Sequence, residues 1–390
     1  MSSAYILGGY RTYIGKKGRA FRGVPAEDLA AAVIGRIGRE FLFGNDGSGP
    51  HTPDLVIAGN AVGGGGNIAR LAALKADPVC QAPGLTVDLQ CASGLAAVMT
   101  ASALIRAREA DLVIAGGMES ASTQPQRLRN KNHPLYDPEK PGYTAAVFSP
   151  DDAGDLVMLE GAERTAGKMG ASLEELNDFC LASHAKAAAA RDGGLLRGII
   201  EPAFGSVRDE EIREKMSPEL LARMKPVLES GRFIHPANAA SEADGAAFVL
   251  VCSGWFLEKS GLVPVAEILA SAYTEADPNY SPMTALPTLE KVAEAASLNV
   301  HELDAVELNE PFAVISAMFA RAYPDLVPVY NRFGGSLAYG HPFGASGAVI
   351  LLHLLESLRI SDGTYGVCAV PAAGGVGAGL AVRRIRSCEE

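Results

Sequence analysis

The chain predicts an α/β fold built from two similar halves, and three observations lead there. Apolar runs of four to six residues alternate with Ala-rich stretches of helical spacing. The tripeptide Ala-Ser-Gly opens a helix after a strand twice, at 92–94 and at 345–347. The elements around the two tripeptides also follow in the same order. The offset that carries Gly94 onto Gly347 carries Val113, in the next strand of the first half, onto Gly366 at the start of a strand in the second. An internal duplication of one βα unit accounts for that agreement.

The elements follow in order. Ser3–Gly8, Leu55–Ala58, Leu85–Leu89 and Leu112–Ala115 read as buried strands, with helices near 27–42 and 92–108. The second half repeats the grammar with strands at Val263–Ala270, Ala305–Leu308, Val327–Asn331, Gly366–Val370 and Leu380–Arg384. Helices are expected near 288–297, 311–322 and 345–358. Residues 120–245 break the rhythm. Gln126–Tyr143 is polar and rich in Arg, Lys and Pro, hence a loop, and Ser172 with Glu175 forms a capping box for a helix through Ala190 that closes near Gly193. The predicted organisation is a first half at 1–119 continuing over 246–260, an inserted lid at 120–245, and a second half at 261–390.

At 390 residues the chain is too long for one ordinary core. With 48% hydrophobic, 20% charged and only 6% aromatic residues, disorder, collagen-like repeats and coiled coil are excluded. A net charge of -11 argues against a general nucleic-acid binder, though an anionic small ligand needs only a local basic patch. No stretch approaches the ~20 uninterrupted apolar residues of a membrane span, the longest candidate, Ala348–Leu355, being broken by His353. The amino terminus does not read as a signal peptide. Six cysteines, Cys80, Cys91, Cys180, Cys252, Cys368 and Cys388, stand far apart with no CxxC pair, which fits reduced thiols and a cytoplasmic location.

Cys91 is the reactive candidate. It sits where the strand LTVDLQ hands over to a helix, and the N–H groups and dipole of a helix start are expected to lower its pKa. Cys180 and Cys252 fall inside regular elements. His341 stands on a glycine-flanked turn, Gly340 to Gly344, at the equivalent point of the sister unit. A Cys/His pair is a minimal nucleophile-and-base set for acyl transfer. Asn309 and Glu310 end the strand DAVEL, where polar residues are out of place as packing; an amide there is expected to fix a water or the histidine. The turn Gly374-Gly375-Val376-Gly377 offers further amide donors. Gly63–Gly66 lacks the Gly-Lys-Ser/Thr of a phosphate loop, and no metal-spaced cluster is present.

Taken together, VDLQCASGLAAV, AGGMES, NEPFAV, GHPFGASGAV and AAGGVGAG resemble the thiolase family over essentially the whole chain. The resemblance implies two α/β halves in a five-layered αβαβα core, a lid that holds coenzyme A, and a homodimer or homotetramer. It implies an acyltransferase acting on acyl-CoA, with the thioester as substrate, no further cofactor, and neither nucleic acid nor membrane as partner. Cys91 then resembles the cysteine that takes the acyl group, His341 the histidine that activates it, and Asn309 the asparagine holding an oxyanion-hole water. Met158 matches the methionine lining the acyl and pantetheine pocket, and Arg213 the residue meeting the adenine end. Phe312 and Phe343, inside the same blocks, are expected beside the acyl-CoA.

The sequence departs from that family in one telling place. Thiolases end in a CxGGGxG-like block whose cysteine moves the proton of the second substrate; here Pro371 stands at that position, with neither a side-chain proton nor an amide N–H. Cys368, three residues earlier on the strand, is expected on the opposite face. Pro311, in NEPF, stands where a related subclass keeps its second cysteine. Ala240 falls where a serine usually contacts pantetheine, with Ser241 adjacent, and Ala373 replaces a glycine of the second oxyanion hole. The chain is therefore expected to acylate Cys91 readily and to condense acetyl groups slowly. The alternatives are acyl transfer to another acceptor, a decarboxylative condensation, or a non-catalytic CoA-binding scaffold.

Overall fold

The computed structural model describes residues 3–43, 51–79, 81–150, 154 and 156–386, so Cys80 and Cys388 lie outside the described residues. Its strands are β1 (Ala4–Arg11), β2 (Gly15–Lys16), β3 (Leu55–Gly59), β4 (Gly84–Val87), β5 (Leu112–Ser120), β6 (Arg127–Leu128), β7 (Gly142–Tyr143), β8 (Ala243–Ser253), β9 (Ala266–Glu275), β10 (Ala305–Leu308), β11 (Tyr365–Ala372) and β12 (Val376–Arg384).

The duplication is written in the pairing. In the first half β3 runs parallel to β5, β5 antiparallel to β8, and β8 antiparallel to β1. In the second, β10 runs parallel to β11, β11 antiparallel to β12, and β12 antiparallel to β9. The offset between Gly94 and Gly347 also carries Leu112, the first residue of β5, onto Tyr365, the first of β11. A short ladder, Ala4–Ile6 against Ala266–Ile268, joins the halves.

Three apolar clusters separate five layers. One lies between the first half-sheet and the helices Ala26–Ile37 and Ile68–Lys75. Another lies between the second half-sheet and the helices Ala285–Ala295 and Ala313–Ala322. The third is central and holds the two Ala-Ser-Gly helices, Ser93–Ala107 and Phe343–Ile360. Their close approach needs glycine: a Cβ on Gly94 would lie 2.6 Å from the carbonyl oxygen of Gly344, and one on Gly347 would lie 2.5 Å from the amide nitrogen of Leu95. The helix Phe343–Ile360 has the length and composition of a membrane span, yet it is the core helix of the middle layer, with Leu351 and Leu354 fully buried.

The segment between β5 and β8 folds onto the second half. Its helix Leu173–Asp192 starts at the expected capping box, Ser172 Oγ accepting from Glu175 N at 3.0 Å. Cys180 and Leu176 on this helix are fully buried. Two local readings are corrected. Val327–Asn331 is not a strand: Pro324–Val329 is a 3-10 turn with Pro328 inside it, and only an isolated bridge joins Tyr330 to Val306. The polar stretch after Gln126 contains the small β6–β7 hairpin.

Candidate active site

Cys91 sits in a 3-10 turn, Gln90–Ala92, between β4 and the helix Ser93–Ala107. The turn is sharp enough to put Gln90 at φ 52, a left-handed conformation that costs a non-glycine residue roughly 1–3 kcal/mol. Side chains on both sides hold it. Asp88 Oδ1 accepts from Gln90 N at 2.8 Å; Ser93 Oγ accepts from Leu89 N at 2.8 Å and donates to Gln90 O at 2.6 Å. The Ala373 N–H lies close enough to the Cys91 sulfur to favour its thiolate, so the glycine turn at the end of β11 meets the nucleophile candidate from the opposite half.

The expected fall in the Cys91 pKa is not what the environment produces. Burial pushes the thiol up to about 12, and the nearest charges, Glu119 and Asp88, push the same way against the two backbone N–H groups that favour the thiolate. No cation counts among those influences, so desolvation outweighs the helix start. At neutral pH Cys91 is a thiol.

His341 is equally neutral, for burial takes it down to about 3. Its turn is glycine-dependent: Gly340 has φ 89, and a Cβ there would lie 2.9 Å from that of Ala243. The His341 N–H donates to the carbonyl of Ser241 at 2.8 Å, and Phe343 packs edge-on to the imidazole at 4.8 Å. Nδ1 lies 2.6 Å from Ser346 Oγ, while Ser346 Oγ donates to Pro342 O at 3.0 Å. Having one proton, already directed to Pro342, Ser346 accepts from Nδ1–H. The lone pair is then on Nε2, which is buried and has no protein partner.

Asn309 follows β10, and its N–H donates to Ala369 O at 3.0 Å, which fixes the backbone; both atoms of its fully buried carboxamide lack a protein partner. A buried amide with four unused hydrogen-bonding positions is the expected holder of a water or substrate oxygen. Asn331 supports it from behind, exchanging side-chain bonds of 2.9 and 3.0 Å with the main chain of Leu308. Glu310 turns away to a structural task, accepting from Ser183 and, at 2.6 Å, from Ser316, which ties the lid helix to the second half. Ala240 and Ser241 run between the two turns: Ala240 N donates to Pro311 O at 2.8 Å, and Ala239 bridges Phe312, itself buried.

Pro371 pairs with Gly377 across the β11–β12 hairpin and is buried. Gly374 and Gly375 both have left-handed φ, 83 and 72, while Ala373 keeps an ordinary one, so its N–H is presented without glycine. Cys368 belongs to the central cluster with Val370 and Ala372, whereas Val367 and Ala369 face the outer one. It therefore points to the side opposite Pro371. Met158 lies half-buried in the first turn of the helix Val157–Lys168, against the outer cluster. Arg213 donates its N–H to His184 Nδ1 at 3.1 Å, and its guanidinium, 37% exposed, lies 3.6 Å from Glu211.

One further residue is central to the geometry. Glu119, near the end of β5, accepts from the N–H of Ala61 at 2.9 Å and of Gly344 at 3.0 Å, and from Asn60 Nδ2 at 2.8 Å. It thus bonds the turn after His341 to the first half. Burial pushes its carboxyl up to about 7 against all these donors. Its signal in the sequence is a carboxylate in AGGMES, closing an otherwise uncharged strand. Among the described residues, no group of three or more His, Cys, Asp or Glu side chains is placed to hold a metal.

A thiol, a neutral imidazole with a free lone pair, an unpartnered amide and a backbone N–H aimed at sulfur form the parts list of an acyl-transfer site. Comparison with known proteins agrees. The model of the thiolase N-terminal domain matches residues 4–254 and that of the thiolase C-terminal domain residues 262–384. The Bacillus subtilis protein YhfS is 34% identical over 97% of this chain and 98% of its own. The beta-ketoadipyl-CoA thiolase of Escherichia coli is 33% identical over 98% and 99%. The crystal structure of human mitochondrial 3-ketoacyl-CoA thiolase in complex with CoA superposes with a TM-score of 0.87 at 26% identity, covering 99% of this chain and 98% of that one. The Bacillus anthracis acetyl-CoA acetyltransferase superposes with a TM-score of 0.86 at 26% identity over 99% of both chains. The chain belongs to the thiolase family of acyltransferases.

Proposed function

We propose that this protein takes an acyl group from acyl-CoA onto Cys91 and passes it on, and that its condensation and thiolysis steps are slow for want of an acid/base at position 371. The observation that carries the reading is the Ala373 N–H beside the Cys91 sulfur, where it favours the thiolate, in a loop whose family acid/base position is proline. In the first step the thiol attacks the thioester carbonyl while His341 Nε2 takes its proton. Because thiol and imidazole both start neutral, proton transfer accompanies attack. The carbonyl oxygen then gains charge that the amide donors stabilise, and coenzyme A leaves with the proton His341 has held. Abstraction of a proton from an acetyl methyl needs a second base. Neither Pro371 nor the fully buried Cys368, on the other face of the strand, supplies one. An acceptor that brings its own proton chemistry, an amine, an alcohol, a carrier thiol or a decarboxylating acyl group, avoids that step.

Acetyl-CoA added to the protein, followed by intact-mass analysis, tests the first half of this reading: one acetyl group is expected, absent from Cys91→Ala. No added mass where a control thiolase is labelled would favour the scaffold alternative. Pro371→Cys tests the second half; it is expected to raise acetoacetyl-CoA thiolysis by about 10²–10⁴, the usual worth of a general base. A wild type as fast as that variant would show the proline to be inconsequential.

A homo-oligomer is part of the proposal. Strand β4 ends the sheet with Leu85 42% exposed, and Leu71 and Leu74 are exposed on the neighbouring helix. An apolar sheet edge invites pairing with a second copy. Sedimentation showing only monomer at micromolar concentration would remove this part. The described cysteines Cys91, Cys180, Cys252 and Cys368 are all free, which supports a reducing, cytoplasmic setting.

A further inference from the structure

Residues 16–22, Lys-Lys-Gly-Arg-Ala-Phe-Arg, carry four cations and no anion in a chain whose net charge is -11. Partners at both ends hold them as a turn after β2. Ser122 Oγ accepts from Gly18 N at 2.7 Å, and Glu210 Oε2 accepts from Lys16 N at 3.0 Å and Ala20 N at 3.2 Å. Phe21 is the anchor: fully buried, it meets the ring of Phe204 edge-on at 6.4 Å. The two segments joined in this way leave a mixed surface. Arg19, Arg22 and Arg208 are exposed, and among the described residues their guanidinium groups make no ion pair. Exposed arginines elsewhere, such as Arg36, Arg321 and Arg383, each have an acidic partner. Phe204, at a left-handed φ of 51, is 50% exposed, and Val207 is 78% exposed. Unpaired cations around exposed apolar side chains complement an acidic protein surface. The patch also borders the candidate active site: Lys17 Nζ lies 2.5 Å from Glu242, whose backbone bridges to His341.

We propose that this patch docks a small acidic carrier protein, and that the carrier's phosphopantetheine thiol is the acceptor of the acyl group on Cys91. The inference rests on the acyl-transfer reading and names the acceptor which that reading leaves open. A thiol acceptor suits a site with proline at 371, because its proton leaves sulfur rather than carbon. His341 Nε2 takes that proton as the thiol attacks the acyl-Cys91 carbonyl. The carrier thioester forms, the bond from the carbonyl to Cys91 breaks, and the proton passes to the departing Cys91 sulfur. One base serves both halves of the reaction. Free CoA as acceptor would only regenerate acyl-CoA, so net transfer to a thiol needs a different carrier. The carrier's arm ends in the same pantetheine as CoA, which lets one site take both. The remaining surface, negative overall, repels an acidic partner, so the patch also fixes where the carrier lands.

The test uses the full-length protein, acetylated on Cys91 by acetyl-CoA, freed of CoA and mixed with a bacterial acyl carrier protein in its holo form. Intact mass follows the acetyl group. Transfer to the carrier is expected to run at least about tenfold faster than to free pantetheine at equal concentration, with the advantage shrinking as salt rises. Arg19→Glu combined with Arg22→Glu is expected to abolish that advantage, leaving acetylation by acetyl-CoA and transfer to pantetheine at wild-type rates. Val207→Asp is expected to reduce it about threefold. A carrier acetylated no faster than pantetheine overturns the proposal, as does a double variant that transfers as fast as wild type. So does a double variant whose half-saturating acetyl-CoA concentration rises, for the cations would then hold the phosphates of CoA. Binding to phosphatidylglycerol vesicles with none to the carrier also overturns it. A Cys91 that never takes acetyl is a failure of the acyl-transfer reading. Fluorescence anisotropy of labelled carrier with the unacetylated protein then reads the docking alone, and equal binding by wild type and double variant overturns that.

Discussion

The same serine occurs in both halves and does different work. Ser93 and Ser346 are equivalent by the offset that relates the twin units, and each stands near the start of a central helix. Ser93 spends both its hydrogen bonds on its own turn, to Leu89 N and Gln90 O, and so steadies the left-handed Gln90 beside Cys91. Ser346 spends one on Pro342 O and the other on the His341 ring. One scaffold position thus braces the turn of Cys91 in one half and meets the His341 ring in the other. Duplication supplied the frame; a single residue before each helix decides what the frame presents.

The largest test of that division is His341→Ala. Loss of the base is expected to slow Cys91 acetylation by about 10²–10⁴, measured by rapid-quench mass spectrometry. Glu119→Ala comes next. It frees the Gly344 N–H that ties the two turns together, and a fall of about 10- to 100-fold in acetylation is expected, with the cysteine still alkylated at its usual rate. Retained acetylation would mean that the turns hold their alignment without it.

The serine pair sharpens the comparison directly. Ser346→Ala is expected to slow acetylation about tenfold with little change in melting temperature. Ser93→Ala is expected to do the reverse, costing about 1–2 kcal/mol of stability with the smaller kinetic effect, as judged by urea unfolding. Equal effects of both on rate would erase the distinction.

Two pH profiles give the smallest effects. With His341 down near 3 and Cys91 up near 12, a Glu119→Gln variant, which removes the carboxyl raised to about 7, is expected to acetylate at a rate that varies by less than about twofold between about pH 5 and 8. A decline on acidification through about 6.5, the ordinary histidine value, would show a base that titrates normally instead. Stability has the opposite character. His184 is lowered to about 4 and His341 to about 3, so the unfolded chain binds more protons below the ordinary histidine value. Stability present above about pH 6.5 is therefore lost as pH falls toward those folded values. His184→Asn, which keeps an acceptor for the Arg213 N–H, is expected to flatten the melting-temperature slope over that range.

Periodicity exposed most strands and helices because burial repeats along them. It failed at Val327–Asn331, where apolar residues looked like a strand but Pro324 and Pro328 bend the chain into a 3-10 turn. It also passed over the helix Ile68–Lys75, which buries only one side and leaves Leu71 and Leu74 exposed. Of the candidate site, Cys91, His341 and Asn309 were legible because each interrupts an apolar or glycine-rich run with a reactive group. Glu119 was not, since its importance lies in N–H groups contributed by residues far away in the chain.

The sequence by itself determined the doubled α/β frame, the junctions that hold Cys91 and His341, and the proline at position 371. These follow from local patterns: spacing, turn residues and the chemistry of single side chains. Only the tertiary structure decided that the Ala373 N–H lies beside the Cys91 sulfur, that Ser346 meets the His341 ring, and that the thiol is raised rather than lowered. Each of those depends on which groups are brought together and how much water is excluded around them, and solvent exclusion is a property of the packed chain that no local stretch contains.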